Sequence, residues 1–291
     1  MKKAKVAILG SGNIGMDLMH KVLRNPDLEM SLLIGLSCDS PRLQKAKKMG
    51  VRTSDQGIQA IIDDPDCCDI VFDATSAQIH KIHAPILKKL GKKVIDMTPA
   101  GVGAWVVPAF NMDENLDKDN INLISCGGQA SIPIVGAISR VVGIEYAESV
   151  NTSGSKSVGP GTRANVDEYT RLTGEAMVRV TGAKSAKALI VFNPADPPIK
   201  MHNTIYCVVE HLDEETAEKI KKEIDGMVRE LHSYIPGYVM TMPPQFDYEH
   251  RMVTVMVEIE GAGDYLPKYS GNLDIITHAG VQVAARMAQR M

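Results

Sequence analysis

A doubly wound α/β unit with a parallel sheet, followed by a smaller α+β unit, is the fold class the sequence predicts, on three observations. Continuous apolar runs alternate with helix-period segments through the first half of the chain. A glycine pattern follows the first of these runs. Near residue 130 the alternation stops and strand-like segments begin to cluster. At 291 residues there is material for two units of ordinary size.

Each element can be justified in order. "KVAILGSGNIGMDLMHKVLRN" opens with the apolar run Val6 to Leu9, as expected of a strand buried on both faces. Gly10, Gly12 and Gly15 then form G-x-G-x-x-G, and Ile14, Leu18, Val22 and Leu23 recur at helical spacing. Glycines there allow a tight turn and close approach of backbone to a pyrophosphate, which the helix N–H groups would bind. With a second strand at "LEMSLLIGL", this context predicts a Rossmann dinucleotide-binding unit. The acid expected at the end of the second strand is replaced by Ser37-Cys38-Asp39. Asp39 could reach a ribose hydroxyl, or Ser37 with Arg42 could accept a 2′-phosphate, so NAD is favoured and NADP stays open. "RLQKAKKMG" reads as a helix closed by Gly50, "CDIVFDATS" as a strand, "AQIHKIHAPILKKLG" as a helix, and "KKVIDMTPAG" and "INLISC" as strands. Ligands bind at the carboxyl ends of such strands, where Thr75, Ser76, Thr98, Pro99 and Cys126 fall. The same Asp-x-Thr segments are also ordinary turn chemistry.

In the second half a helix is expected from about Gln129. "YAESV" reads as a strand leading into a loop rich in Ser, Gly and Pro and then a helix. "KALIVFNPADPP", "NTIYCVVEHL" and "MVTVMVEIEG" read as strands, and "DEETAEKIKKEIDGMVREL" as an exposed amphipathic helix with acids at its start. These group into an α+β domain on a mixed or antiparallel sheet. The expected domains are 1–128 for the dinucleotide, 129–270 for catalysis and dimerisation, and 271–291 as a terminal helix packing back on the first.

Composition narrows the function classes. A net charge of −3 and no dense Lys/Arg tract argue against nucleic-acid binding. No apolar run has the length of a membrane span, and the N-terminal apolar run is broken by glycines with no cleavage site after it. Five cysteines without a regular framework suit a reducing cytoplasm, and neither Cys67-Cys68 nor the histidines show metal-ligand spacing. The expectation is a cytoplasmic protein without a metal.

Two stretches carry candidate chemistry. In "LISCGGQASIP" Cys126 sits where a strand ends and a helix begins. The helix dipole should lower its pKa, and the glycines would let a substrate approach the sulfur. Beside a hydride acceptor, such a thiolate suits covalent aldehyde oxidation, while a free cysteine at a crowded turn can also be a small buried residue. In "SKSVGPGTRANVDE" a run of backbone and hydroxyl donors precedes a helix, with Arg163 as a fixed positive charge, and could close over a nicotinamide or bind an anionic group such as a phosphate; the same residues also read as a surface turn capped by Asn165 or Thr162. His202 is a candidate general base.

The motifs "GSGNIG", "VFDATSA", "CGGQASIP", "SKSVGPGTRANVDE", "NPADPP", "IPGY" and "YLPKYSGNLDIIT" together resemble the acetaldehyde dehydrogenases that acylate coenzyme A in meta-cleavage pathways for aromatic compounds. The resemblance spans nearly the whole chain. It implies a glyceraldehyde-phosphate-dehydrogenase-like layout, NAD as cofactor and coenzyme A as co-substrate. It also implies a homodimer core associated with a 4-hydroxy-2-oxovalerate aldolase. By it, Cys126 matches the acyl-thioester nucleophile and Gly10, Ser11, Gly12, Asn13, Ile14 and Gly15 the pyrophosphate turn. Ser157, Val158, Gly159, Pro160, Gly161, Thr162, Arg163, Ala164 and Asn165 match the nucleotide-contacting loop, and Asn272 a residue near the nicotinamide.

The chain departs from that pattern at three places. Asn203 stands where an aspartate base is expected and cannot take a proton as a carboxylate does, which brings His202 forward. Ser37 stands where the ribose acid is expected. The stretch from "QFDYEH" to "RMVTVMVEIEGAG" is shorter. Two other readings compete: a phosphorylating semialdehyde-type dehydrogenase, and a non-catalytic nucleotide-binding partner subunit of an aldolase.

Overall fold

The computed structural model describes residues 3–159, 162–163 and 166–291. Its first sheet is parallel throughout, in the order β3-β2-β1-β4-β5-β7-β6. The strands are β1 (Ala4–Leu9), β2 (Leu28–Ile34), β3 (Thr53–Ser54), β4 (Ile70–Asp73), β5 (Lys93–Asp96), β6 (Ala104–Trp105) and β7 (Asn120–Asn122). The helices α1 (Asn13–Arg24), α2 (Pro41–Lys48), α3 (Gln59–Asp63), α4 (Ala77–Lys89) and α5 (Pro108–Asn111) connect them. β1 lies between β2 and β4, so the chain reverses direction across the sheet at β1 and opens a crevice at that edge. β1 and β4 are buried almost throughout, which is why their sequences read as unbroken apolar runs.

Helix α6 (Cys126–Ser139) leaves the first sheet and crosses to the second. There β8 (Ile144–Gly154), β9 (Ala186–Asn193), β10 (Met201–Val209), β11 (Tyr238–Met240) and β13 (Met252–Ile259) stand in the order β11-β13-β10-β8-β9. β12 (Gln245–Asp247) pairs with β13 as a hairpin joined by residues 248–251. The sheet is mixed: β8 and β9 run parallel, the other pairs antiparallel. Alternate burial along β8, β10 and β13 leaves one face for the helices and one outside. Helix α7 (Val166–Thr181) crosses over between β8 and β9. Helix α8 (Glu214–His232), capped by the Asp213 side chain accepting from the Thr216 N–H, buries Ile220, Ile224 and Leu231.

The last helix, α9 (Gly271–Ala288), packs on α1 and α6. An ionic node pins it: buried Lys21 places its ammonium 2.6 Å from Asp17, 2.9 Å from Asp264 and 2.8 Å from Asp274. Thr277 donates to Asp17 at 2.6 Å. Removing one partner from such a node leaves a buried charge unmatched, at a cost of about 3–5 kcal/mol. Asp17 is one helix turn from Lys21, but Asp274 is 253 positions away, so no local sequence pattern announces the full node.

Candidate active site

The carboxyl ends of β1, β4, β5 and β7 and the start of α9 enclose a cavity of about 180 Å³. Ile14, Thr75, Thr98, Cys126, Tyr169 and Asn272 are among its lining residues. The strand-end segments both line this space and act as turns. Asp73 accepts from the Thr75 N–H and hydroxyl, Asp96 from those of Thr98, and the two threonines face the cavity. Behind them His80 bridges the two acids, its Nδ1 2.9 Å from Asp73 and its Nε2 3.3 Å from Asp96. Burial works against the Asp73 carboxylate, but hydrogen bonds from His80, His83 and Thr75 hold it below its ordinary range. Asp96 faces one histidine where Asp73 faces two, and burial pushes its carboxyl up to about 6.

Cys126 arrives through a strained turn. Ile124 has φ of 66°, costly for a β-branched residue, and its N–H is held by the Asn122 side chain at 2.8 Å. Ser125 is then extended, and its hydroxyl accepts from the Gly128 N–H at 2.9 Å, capping α6. The helix therefore starts at Cys126, three residues before the expected Gln129, and the thiol occupies its first position. The expected drop in thiol pKa is overturned. Burial raises the Cys126 thiol above its ordinary range, against opposing hydrogen bonds from Tyr169, the Gly127 and Cys126 N–H groups and Asn151.

Sequence reasoning missed Tyr169 and Asn151. The Tyr169 hydroxyl and the Asn151 Nδ2 each lie 3.9 Å from Cys126 Sγ, and Asn151 donates to the tyrosine at 2.7 Å. These residues come from β8 and α7, 18 positions apart. Strand periodicity could have marked Asn151 as an inward-facing polar residue, but nothing local points either residue at the sulfur.

The two base candidates are not in the cavity. Adjacent residues of a strand face opposite ways, and here they separate. Asn203 is buried opposite Asn151, accepting from Ser149 at 3.0 Å, and its Nδ2 has no partner among the described residues. His202 lies on the other face, half-exposed, 3.5 Å from Glu258. His202 as the base at Cys126 is thus corrected by strand alternation, and Asn203 reaches no further than the Asn151 strand pair.

A dinucleotide fits the remaining residues. Gly10 needs its φ of 107°, and a Cβ on Gly15 would lie 1.8 Å from the Gly10 carbonyl oxygen. A Cβ on Gly12 would meet nothing within 4 Å, so the turn is open on one side. No side chain caps α1, which leaves its first N–H groups facing that opening. Asn13 accepts from Arg42 at 2.9 Å, and Ser11 Oγ abuts Gly35 at the end of β2. Ser37 and Asp39 are exposed in the turn closed by the Ser40 N–H. At the other end, buried Asn272 donates to the Ser157 carbonyl, while its Oδ1 has no partner among the described residues. An amide donor such as that of nicotinamide would satisfy it.

The loop before α7 is divided. Thr162 lines the cavity, Ser157 and Val158 are buried beside it, and Gly159 accepts from the Arg163 N–H. Arg163 turns back instead of facing an anion, donating to the carbonyls of Val158 and Ser155 and stacking on Phe192. The expected contacts of Pro160, Gly161, Ala164 and Asn165 lie outside the described residues. A larger groove of about 1150 Å³, between Arg140 and Arg179 at the far ends of α6 and α7, holds none of the candidate residues.

A profile described as semialdehyde dehydrogenase, NAD binding domain, matches residues 5–116, and one described as prokaryotic acetaldehyde dehydrogenase, dimerisation, matches 126–267. Acetaldehyde dehydrogenases of Geobacillus stearothermophilus and Desulfitobacterium hafniense are 52% and 50% identical to the chain. The alignments cover 99% of the chain and 97% and 96% of those proteins. The chain belongs to the acetaldehyde dehydrogenase family. Its fold also aligns with a crystal structure of aspartate semialdehyde dehydrogenase II from Vibrio cholerae, with a TM-score of 0.68 and 16% identity over 99% of both chains. Membership in this oxidoreductase family supports aldehyde oxidation as the class of reaction, with dinucleotide binding in the first unit.

Proposed function

We propose that the chain oxidises acetaldehyde to acetyl-CoA through a thioester on Cys126. The single observation that carries the reading is the cavity itself. Its sulfur lies at the carboxyl edge of the dinucleotide sheet, and no charged side chain is among its described lining residues. The four loop residues outside the described set, Pro160, Gly161, Ala164 and Asn165, carry no charge either. A semialdehyde bearing a carboxylate would find no partner there, whereas a small neutral aldehyde suits walls of Met97, Ile124, Leu273 and Ile276. This favours acetaldehyde over the substrate of the phosphorylating rival.

The Cys126 thiolate adds to the aldehyde carbon, forming a C–S bond and a thiohemiacetal. The carbonyl re-forms as the C–H bond breaks and the proton on its oxygen leaves to water; nicotinamide, held by Asn272 and the Gly12 turn, would supply the hydride acceptor. Cys126 then holds the acyl group as a thioester, and the thiolate of coenzyme A displaces it, returning the electron pair to the cysteine. Asn272 and the open turn at Gly12 orient the dinucleotide. Arg42 beside Asn13, with Ser37 in place of an acid, allows either NAD or NADP. The same proposal includes a cytoplasmic homodimer, joined through the second domain and associated with a 4-hydroxy-2-oxovalerate aldolase. Its setting would be aromatic catabolism.

The test is formation of reduced cofactor from acetaldehyde with coenzyme A, phosphate or water as acyl acceptor, using NAD and NADP in parallel. Turnover with coenzyme A alone is expected. Turnover with phosphate alone would establish the phosphorylating rival, and none with any acceptor would establish the non-catalytic reading. Co-purification with the aldolase tests the partner.

A further inference from the structure

We propose that Tyr169 is a catalytic residue of this site. Its hydroxyl, held by the Asn151 amide in the space left by Gly127, donates a hydrogen bond to Cys126 Sγ and stabilises the thiolate without any ionised base in the cavity. The inference rests on the reading of Cys126 as the nucleophile.

Three observations lead to it. First, among the described residues Cys126 Sγ is the acceptor within reach of the phenolic proton. Asn151 Nδ2 donates to the Tyr169 oxygen at 2.7 Å, so the hydroxyl is an acceptor there and its own hydrogen is free. As a thiol Cys126 donates to that oxygen from 3.9 Å; once its proton is lost, the sulfur becomes an acceptor for the phenolic hydrogen. Second, the approach is built into the helix. A Cβ on Gly127 would stand 2.0 Å from the Tyr169 oxygen, so a glycine at this position admits the hydroxyl to the first turn of α6. One turn further along α7, Thr173 donates to the Tyr169 carbonyl at 2.6 Å and meets the capping hydroxyl of Ser125 at 2.7 Å. The tyrosine and the cysteine are thus held to the same pair of helix turns. Third, among the described lining residues only Cys126 and Tyr169 titrate; there is no histidine and no carboxylate. A buried thiolate in such a place depends on neutral donors.

The proton account is simple. The S–H bond breaks, its proton leaves to water, and the electron pair stays on sulfur. The Tyr169 O–H bond stays intact, in keeping with a buried phenol whose pKa is raised well above its ordinary value by burial and by the neighbouring cysteine. Tyr169 is therefore a donor and not the base that the sequence sought at position 203.

The experiment is the pH dependence of iodoacetamide alkylation, read peptide by peptide by mass spectrometry on the full chain. Exposed Cys38 serves as the internal reference thiol. Tyr169→Phe is expected to raise the apparent pKa of Cys126 by about one unit, cutting its alkylation rate about tenfold at neutral pH, while Cys38 is unchanged. Asn151→Ala keeps the phenol but frees it, and should shift the same pKa upward by less. The pH profile of kcat/KM should move with the alkylation profile. An unchanged or lowered Cys126 pKa in Tyr169→Phe, or in Asn151→Ala where Tyr169→Phe fails to fold, would overturn the proposal. The two failures are distinguishable. Full turnover by Cys126→Ala would remove the thioester reading yet leave the alkylation shift in place. An absent shift with Cys126 still essential would remove only Tyr169.

Discussion

Helices α1 and α6 both begin at the carboxyl end of a strand of the first sheet, and both carry glycines in their first turn. The first turns differ. α1 has Gly12 as its N-cap with no side chain on the N–H groups, and a Cβ there would meet open space. α6 has Ser125 as its N-cap, closed on the Gly128 N–H, with a thiol at the next position. One end is left uncapped for an anionic ligand to satisfy. The other is satisfied by the chain itself and offers a side chain for covalent work. The glycines differ accordingly: Gly12 keeps space for a ligand, whereas Gly127 makes space for Tyr169.

Four substitutions test that contrast. Cys126→Ala should lower acetaldehyde-dependent reduction of the cofactor by about a thousandfold or more, with an unchanged melting temperature; appreciable turnover would refute the nucleophile. Gly15→Ala drives a Cβ to 1.8 Å from the Gly10 carbonyl oxygen and should destabilise the fold by about 3 kcal/mol in urea titrations. Gly12→Ala meets no protein atom within 4 Å but places a poorer residue at the N-cap, so stability should fall by only about 0.5 kcal/mol, while calorimetry should show dinucleotide affinity falling about tenfold as the methyl enters the ligand's space. Equal affinity would show that the turn does not hold the pyrophosphate. Ser125→Ala removes the cap of α6 and should cost about 1 kcal/mol, measured by denaturant unfolding. A larger stability loss at Gly12 than at Ser125 would reverse the comparison.

Much of the first unit was legible because its signals are local. Gly10, Gly12 and Gly15 lie within one turn, and the strands buried on both faces declare themselves as apolar runs. The short strands β3 and β6 escaped notice because two residues carry no periodicity. The start of α6 was placed late because its two glycines mimic a loop. Burial in the core and the Ser125 cap outweigh their poor helix propensity. The sequence placed Cys126 in the site, but it pointed the thiol pKa the wrong way. A helix dipole can be read from sequence, whereas the burial that opposes it cannot.

The sequence by itself determined the dinucleotide unit, the cysteine at a strand-to-helix junction and, by its motifs, the family. These depend on residues a few positions apart, whose chemistry follows from spacing alone. Only the tertiary structure decided which groups meet the sulfur. Tyr169 is 43 positions from Cys126 and comes from another helix, and Asn151 comes from the second sheet. The alternation of β10 sent His202 to the outer face and left Asn203 behind Asn151. A hydrogen bond across a cavity depends on where two backbones pass each other, and packing of the whole chain sets that distance.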